Sequence, residues 1–419
     1  MALVSELELP TFDATEPSMR GERFHEAMGE LRERGWLAQA PLGYVVLDRE
    51  SAEFFLRTKA AIFPGMKIAE IFGVSEGPLY EQMEHNILQV NGTGHSRLRG
   101  LVNPALSPRA VERYRPAMGA FLEGLMGEAV ASGGDGVSVR CEFVESFAKP
   151  YPSQVIAEVM GAPLEDAPRL HHWSNWIQRQ FDAVSMATEV ELIEQAVEEF
   201  YEYARELLDA RRETPGEDLI SKLITAEEEG DRLSESECIN LVFNILVGGV
   251  DTSQSQLAHT VRLLAEDPDQ WAALRADPEL AGATVEEGLR YEPITPFTAR
   301  ILTEEVVYRD VTFPEGSVLI VCAFTGNRDL DDDSDAESFD ITVGERTSAG
   351  RTARPLTFGA GVHYCLGANL ARAELQEAID FLARRVDTLE LDGDPVFEGV
   401  NGIYGLASLP LRFTLAPTA

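Results

Sequence analysis

The chain of 419 residues has only four cysteines and four lysines, and it has no apolar run long enough to cross a bilayer. Cys141, Cys238, Cys322 and Cys365 stand far apart with no Cys-x-x-Cys pair, which argues against a disulfide framework and against a zinc site. With only Lys59, Lys67, Lys149 and Lys222, nearly all positive charge is arginine, and the formal net charge is −36. A field of that sign repels phosphate backbones and anionic lipid, so neither nucleic acid nor a membrane surface is expected as a partner. The longest apolar stretch, residues 241–250, carries Asn244 and falls short of the roughly 20 residues that a spanning helix needs. The opening residues are acidic early and lack a basic segment followed by an apolar one, so a cytoplasmic location is expected. No Pro/Ser-rich linker, low-complexity tract or repeat divides the chain. One large domain over residues 1–419 is expected, with 1–23 as an N-terminal extension whose order the sequence leaves open.

What is present is mainly helical periodicity. Residues 24–34 and 51–57 read as helices, 44–47 as a short strand, and 107–212 as a series of long amphipathic helices. Residues 234–266 read as one very long helix, opened by Ser234 as N-cap with Glu237 three positions on. Residues 306–324 predict a β-hairpin around Pro314-Glu315-Gly316, and 329–354 are polar and irregular. Residues 367–386 return to helix, with Leu375, Ala378, Ile379 and Leu382 on one face, and 402–415 read as strands. Cys141 and Cys322 lie in strand-like alternations at 137–143 and 318–322, where a free cysteine is a small buried hydrophobe. The fold class is mainly α with small β-sheets.

Only Cys365 has chemistry written around it. Phe358-Gly359-Ala360-Gly361-Val362-His363-Tyr364-Cys365-Leu366-Gly367 places one cysteine in a glycine-rich loop immediately before an amphipathic helix. Glycines let the backbone pass close to a flat cofactor, and amides at a helix start can donate to an anionic sulfur that the helix dipole also favours. A buried structural cysteine beside a turn is the plain alternative. The fixed spacing of Phe358, Gly359, Gly361 and Cys365 arises by chance in roughly one such chain in a thousand.

Together with Ala368-Asn369-Leu370-Ala371-Arg372-Ala373-Glu374, this segment closely resembles the haem-binding signature of the bacterial cytochromes P450. The resemblance implies that fold as a single large domain, haem b as cofactor, and Cys365 as the thiolate ligand of its iron. It also implies a Glu-x-x-Arg pair on an upstream helix, which Glu287 and Arg290 match, and which would be locked by a bidentate contact. The family's third member, a meander arginine, falls here on Ser338, leaving Arg346 or Arg328 as substitutes. Gly248-Gly249-Val250-Asp251-Thr252-Ser253 resembles the oxygen-activating motif, with Asp251 relaying protons from solvent and Thr252 steering them. His95, Arg99, Arg300 and His363 match the propionate-binding positions, and Phe358, Gly359 and Gly367 the cofactor-facing loop. By the same analogy the substrate pocket draws on residues 72–89 with His85, residues 173–186, Leu246, Val247, Thr295, Phe297 and Tyr404, and it implies a largely apolar small molecule.

The reaction implied is monooxygenation with O2. The same chemistry could serve desaturation, cyclisation or oxidative coupling, and a non-catalytic haem sensor is the rival from another class. The Asp251-Thr252 pair argues against that rival. Residues 95–115 carry Arg97, Arg99, Arg109, Arg113 and Arg115 against Glu112, a local excess of four positive charges. A docking patch for an acidic ferredoxin-type electron donor is expected there, on a monomeric enzyme.

Overall fold

The computed structural model describes residues 2–134, 138–228, 233–331, 336–344, 346–348 and 350–417. Val137, at the edge of the strand expected over 137–143, lies outside the described residues, as do 332–335, 345 and 349 within the irregular stretch.

Helices carry the fold, and the apolar stripes found in the sequence are what they bury. The Arg115–Gly133, Pro150–Met160, Ala167–Gln178 and Val190–Glu213 helices pack around Glu235–Gly249, Asp251–Glu266 and Ala368–Arg385 in one large apolar core. Ser234 caps as expected: its hydroxyl accepts from the Glu237 amide while Glu237 accepts from the Ser234 amide. The very long helix is interrupted at one residue, Val250, with φ −93° and ψ −74°. Two glycines immediately before it weaken the ladder at that point.

The β part gathers at one end. A five-stranded sheet runs in the order Leu37–Ala40, Gly43–Val46, Val318–Cys322, Phe297–Leu302, Ala61–Ile62. The hairpin expected around Pro314-Glu315-Gly316 is corrected: Val306–Tyr308 pairs with Val311–Phe313 through Arg309 and Asp310, both at positive φ. The turn at 314–317 instead carries the chain into the five-stranded sheet, where Val318–Cys322 pairs with Phe297–Leu302. Two short turns lay within one apolar run, and periodicity alone could not assign the strands to different sheets. The N-terminal extension is ordered from Ala2: Ala2–Leu3 pairs with the Val311–Phe313 strand, and Val4 and Phe12 are buried.

Candidate active site

Cys365 ends a loop that leads into the Ala368–Arg385 helix. Gly359 and Gly361 take φ of 69° and 73°, and a Cβ on Gly361 would stand 2.6 Å from the Leu56 carbonyl oxygen. Only glycine serves there. The Cys365 amide donates to the Phe358 carbonyl at 2.9 Å, and the sulfur accepts from the Gly367 and Ala368 amides at the helix start. Burial pushes the thiol pKa up, while these amides and the Arg99 and Arg372 charges pull it back.

Two residues that the sequence reading passed over brace this loop. Arg372 ion-pairs with Glu286, donates to the Tyr364 hydroxyl at 3.0 Å and lies 4.6 Å from the centre of the Phe358 ring. Asn327, fully buried, accepts from the Leu356 amide at 2.6 Å and donates to the Arg290 carbonyl at 3.2 Å. It thereby ties the loop to the Glu-x-x-Arg helix. Arg372 lies in the signature segment, which gave it no role of its own, and Asn327 belongs to no motif.

On that helix, Ala281–Tyr291, Arg290 donates twice to Glu287, each time at 2.8 Å. Arg290 also donates to the Ala336 and Ser338 carbonyls, so the position that lost its arginine contributes backbone instead. The third member is Arg346, 3.0 Å from Glu287, joined by the Asp340 amide at 3.0 Å. Arg328 goes elsewhere, to Glu337 and the Tyr291 carbonyl. Burial alone would raise the Glu287 carboxyl; Arg290, the Asp340 amide and Arg346 hold it below the usual range.

Beside the sulfur, two arginines and two histidines converge. The His95 and His363 rings are 4.3 Å apart, and Arg99 and Arg300 act electrostatically on His363. Arg300 is only 5% exposed and donates to its neighbour's carbonyl, and burial lowers it to about 10. Burial, then His95, Arg300 and Arg99, push His363 down to about 4, and its buried Nδ1 has no partner. Its Nε2 lies 3.3 Å from Asn91 Oδ1, a contact from the lead-in that departs from the family pattern. Among the described residues no carboxylate pairs with His95, Arg99, Arg300 or His363. A guanidinium as buried as that of Arg300 is costly without a counter-charge, so this group of two arginines and two histidines suits a ligand that brings carboxylates of its own.

The interrupted helix supplies an open wall. Gly248 is exposed although Leu246, Val247 and Val250 are buried, and a Cβ added there would meet nothing within 4 Å. Thr252 donates to the Gly248 carbonyl at 2.6 Å. Asp251 is 4% exposed, and its carboxylate accepts from the Ser174 hydroxyl at 2.5 Å and the Asn175 amide at 3.3 Å. Burial raises its pKa against the pull of Ser174, His171 and Asn175.

The family model described as Cytochrome P450 matches residues 164–385. Luteothin monooxygenase of Streptomyces thioluteus is 32% identical over 413 residues, 98% of this chain and 97% of that protein. The chain belongs to the cytochrome P450 family. Mycinamicin IV hydroxylase/epoxidase of Micromonospora griseorubida is 34% identical over 313 residues, covering 74% of this P450 and 75% of that enzyme. The crystal structure of CalO2 superposes with a TM-score of 0.87 at 29% identity, covering 97% of this chain and 99% of that one. The protein is therefore a P450 monooxygenase that uses O2 and a redox partner, and its cofactor is haem b. Among the described residues no helix is long and apolar enough to cross a membrane.

The donor set fits haem b: one cysteine sulfur, two glycines at positive φ beside it, and two arginines and two histidines without carboxylate partners, able to donate to its propionates. The substrate-pocket expectations fare less well. Tyr404 is fully buried among Phe24, His259 and Phe397, with its hydroxyl accepting from the Gly21 amide at 2.9 Å. Phe297 packs against Phe12 and Phe24 in the same cluster. Side chains alternate along a strand, so Thr298, not Phe297, shares the face of Arg300. Leu246 and Val247 are closed into the main core, and Gly248 is the open residue of that turn. Thr295 is half-buried, and His85 is exposed with Nδ1 2.8 Å from the Glu81 carbonyl oxygen. The segments 72–89 and 173–186 do meet, at a small void between Met83 and Asn86 on one side and Gln180 and Phe181 on the other.

Proposed function

We propose that this P450 hydroxylates or epoxidises a largely apolar secondary metabolite, with Cys365 as the axial ligand of its haem iron. The observation that carries the reading is the Cys365 sulfur, held by two helix-start amides next to two arginines and two histidines that lack carboxylate partners. His95, Arg99, Arg300 and His363 would hold the propionates, and Phe358, Gly359 and Gly367 would lie against the ring. Bound haem supplies activation of O2 with two electrons and two protons.

The chain's own residues manage protons and position. Asp251, buried and held by Ser174 and Asn175, passes a proton toward Thr252, whose hydroxyl is aimed by the Gly248 carbonyl. A donor must carry its proton near the working pH, and burial moves Asp251 in that direction. Gly248, Thr295 and Thr298 border the space in which a substrate C–H or C=C bond is oriented. The names luteothin monooxygenase and mycinamicin IV hydroxylase/epoxidase support a secondary metabolite as substrate.

An acidic ferredoxin-type donor is proposed on a smaller patch than the sequence suggested. Arg97 ion-pairs with Glu237, Arg115 with Glu112 and Glu377, and Arg99 faces Cys365. Arg109 and Arg113 are the exposed arginines left for docking. A reduction rate indifferent to ionic strength and to Arg109→Glu would remove this donor site.

The substrate reading is tested by screening compounds for displacement of water from the iron, read as a shift of the haem absorption band. Apolar polyketide-like or terpenoid compounds are expected to shift it. A shift confined to charged, strongly polar compounds would overturn the reading.

A further inference from the structure

The second half of the long helix is polar where it is buried. Asp251, Ser255, Gln256, His259 and Arg262 are each 6% exposed or less. Protein partners do not engage all of their atoms: Gln256 Oε1, His259 Nδ1 and Arg262 Nε are buried and unpaired. Buried polar atoms seldom stay unpaired, and in polar surroundings water takes the missing role. One turn beyond Asp251, the Ser255 hydroxyl meets a carboxylate from a distant part of the chain. A Cβ on Gly405 would stand 2.6 Å from Glu398 Oε2 and 2.9 Å from Ser255 Oγ, so the two oxygens crowd the same side of Gly405 and lie near each other.

Glu398 follows the Val396–Phe397 strand and is exposed, yet its carboxyl is hemmed in by protein. Burial and then the Asp251 charge raise its pKa, against Arg179 and Lys149. Among the described residues no side chain hydrogen-bonds to that carboxylate. It thus combines contact with solvent, closeness to Asp251 and an open hydrogen-bonding capacity.

We propose that Glu398 is the solvent-side member of a proton relay whose buried member is Asp251, with Ser255 and water bridging the two carboxyls. The proposal rests on the reading of Asp251 as a proton donor. A proton from bulk water adds to a Glu398 carboxylate oxygen. It then passes through the bridge to Asp251, replacing the proton that Asp251 has given up, and no electrons move. Two neighbouring carboxyls hold one shared proton more readily than two negative charges. Arg179 and Lys149 beside Glu398, and His171 beside Asp251, keep the pair from becoming neutral altogether.

The test compares Glu398→Gln, Asp251→Asn and the double variant in the haem-loaded enzyme. Three quantities are read: product formed per reductant consumed, the solvent deuterium effect on turnover, and the infrared band of protonated carboxyl in the resting protein. The infrared spectra are taken in a Glu374→Gln background, because Glu374 is itself a buried carboxyl raised to about 8. Glu398→Gln is expected to lower coupling several-fold, to enlarge the deuterium effect and to remove a band present at neutral pH. The double variant should be no worse than Asp251→Asn. Unchanged coupling and an unchanged band in Glu398→Gln, with Asp251→Asn impaired, would overturn the role of Glu398 and leave Asp251 in place. A loss of stability with no change in deuterium effect would likewise overturn it. Full coupling in Asp251→Asn would remove the Asp251 reading and this relay with it.

Discussion

The cysteine side of the cradle is fixed by backbone and ion pairs, whereas the side that carries Asp251 and Thr252 is assembled from side chains of several distant segments. On the cysteine side, Gly359, Gly361, the amides of Gly367 and Ala368, and the Glu287-Arg290-Arg346 cluster each allow one arrangement. On the other side, Ser174, Asn175, His171 and Glu398 come from two other parts of the fold and meet a helix interrupted at Val250. The first arrangement presents the sulfur in a fixed frame, as the proposed haem ligand requires. The second rests on hydrogen bonds between side chains, so single substitutions there can alter the surroundings of Asp251 without removing the amides at the sulfur.

Breaking the fixed side should have the largest effect. Arg290→Ala leaves Glu287 buried with Arg346 as its remaining arginine. Loss of one member of a buried pair costs about 3–5 kcal/mol, so failure to accumulate folded, haem-loaded protein is expected on expression. The helix that follows the cysteine also contains a group held at a loss, Glu374, whose carboxyl is fully enclosed; burial raises it to about 8, with the Ser253 hydroxyl pulling the other way. Between the unfolded carboxyl pKa and about 8, the folded state keeps a proton that the unfolded state has released. Stability therefore falls as pH rises through that window, by at most about 1.4 kcal/mol per pH unit. Glu374→Gln should flatten the slope and leave the variant more stable than the parent at pH 8, as read by denaturant titration.

Arg346→Ala tests the network more finely. It removes a hydrogen bond to a charged group, at about 1.5–3 kcal/mol, and the loss should exceed that of an exposed arginine such as Arg109→Ala. The smallest effect is expected at Tyr404. Tyr404→Phe deletes one hydrogen bond to Gly21 and should cost about 1 kcal/mol, with no change in the substrate-induced absorption shift. Thr298→Val should do the reverse, altering that shift with little loss of stability.

The same contrast explains what could be read from the amino-acid sequence. Short, fixed spacings made Cys365 and the Glu287-Arg290 pair readable as candidates in the amino-acid sequence, and the structure brings the candidates His95, Arg99, Arg300 and His363 together near that cysteine. Arg346 was legible only as one of two choices, because the meander sequence gives no register from which to count. Pocket residues were named by position along the chain, and position does not fix direction. Tyr404 and Phe297 point into a core cluster, and one step of strand alternation moves the open face to Thr298. Asn327 and Glu398 make their contacts with residues distant in sequence, which no local pattern announces, and the partner of Arg372, Glu286, is likewise set by the fold rather than by the signature.

The most direct test of the central claim is the absorption spectrum of the reduced carbon monoxide complex of Cys365→His beside that of the parent. The parent should show the thiolate-ligated band, and the variant, if it still binds haem, should lack it and lose monooxygenation. A variant that keeps the thiolate band would contradict the assignment of Cys365 as the iron's ligand.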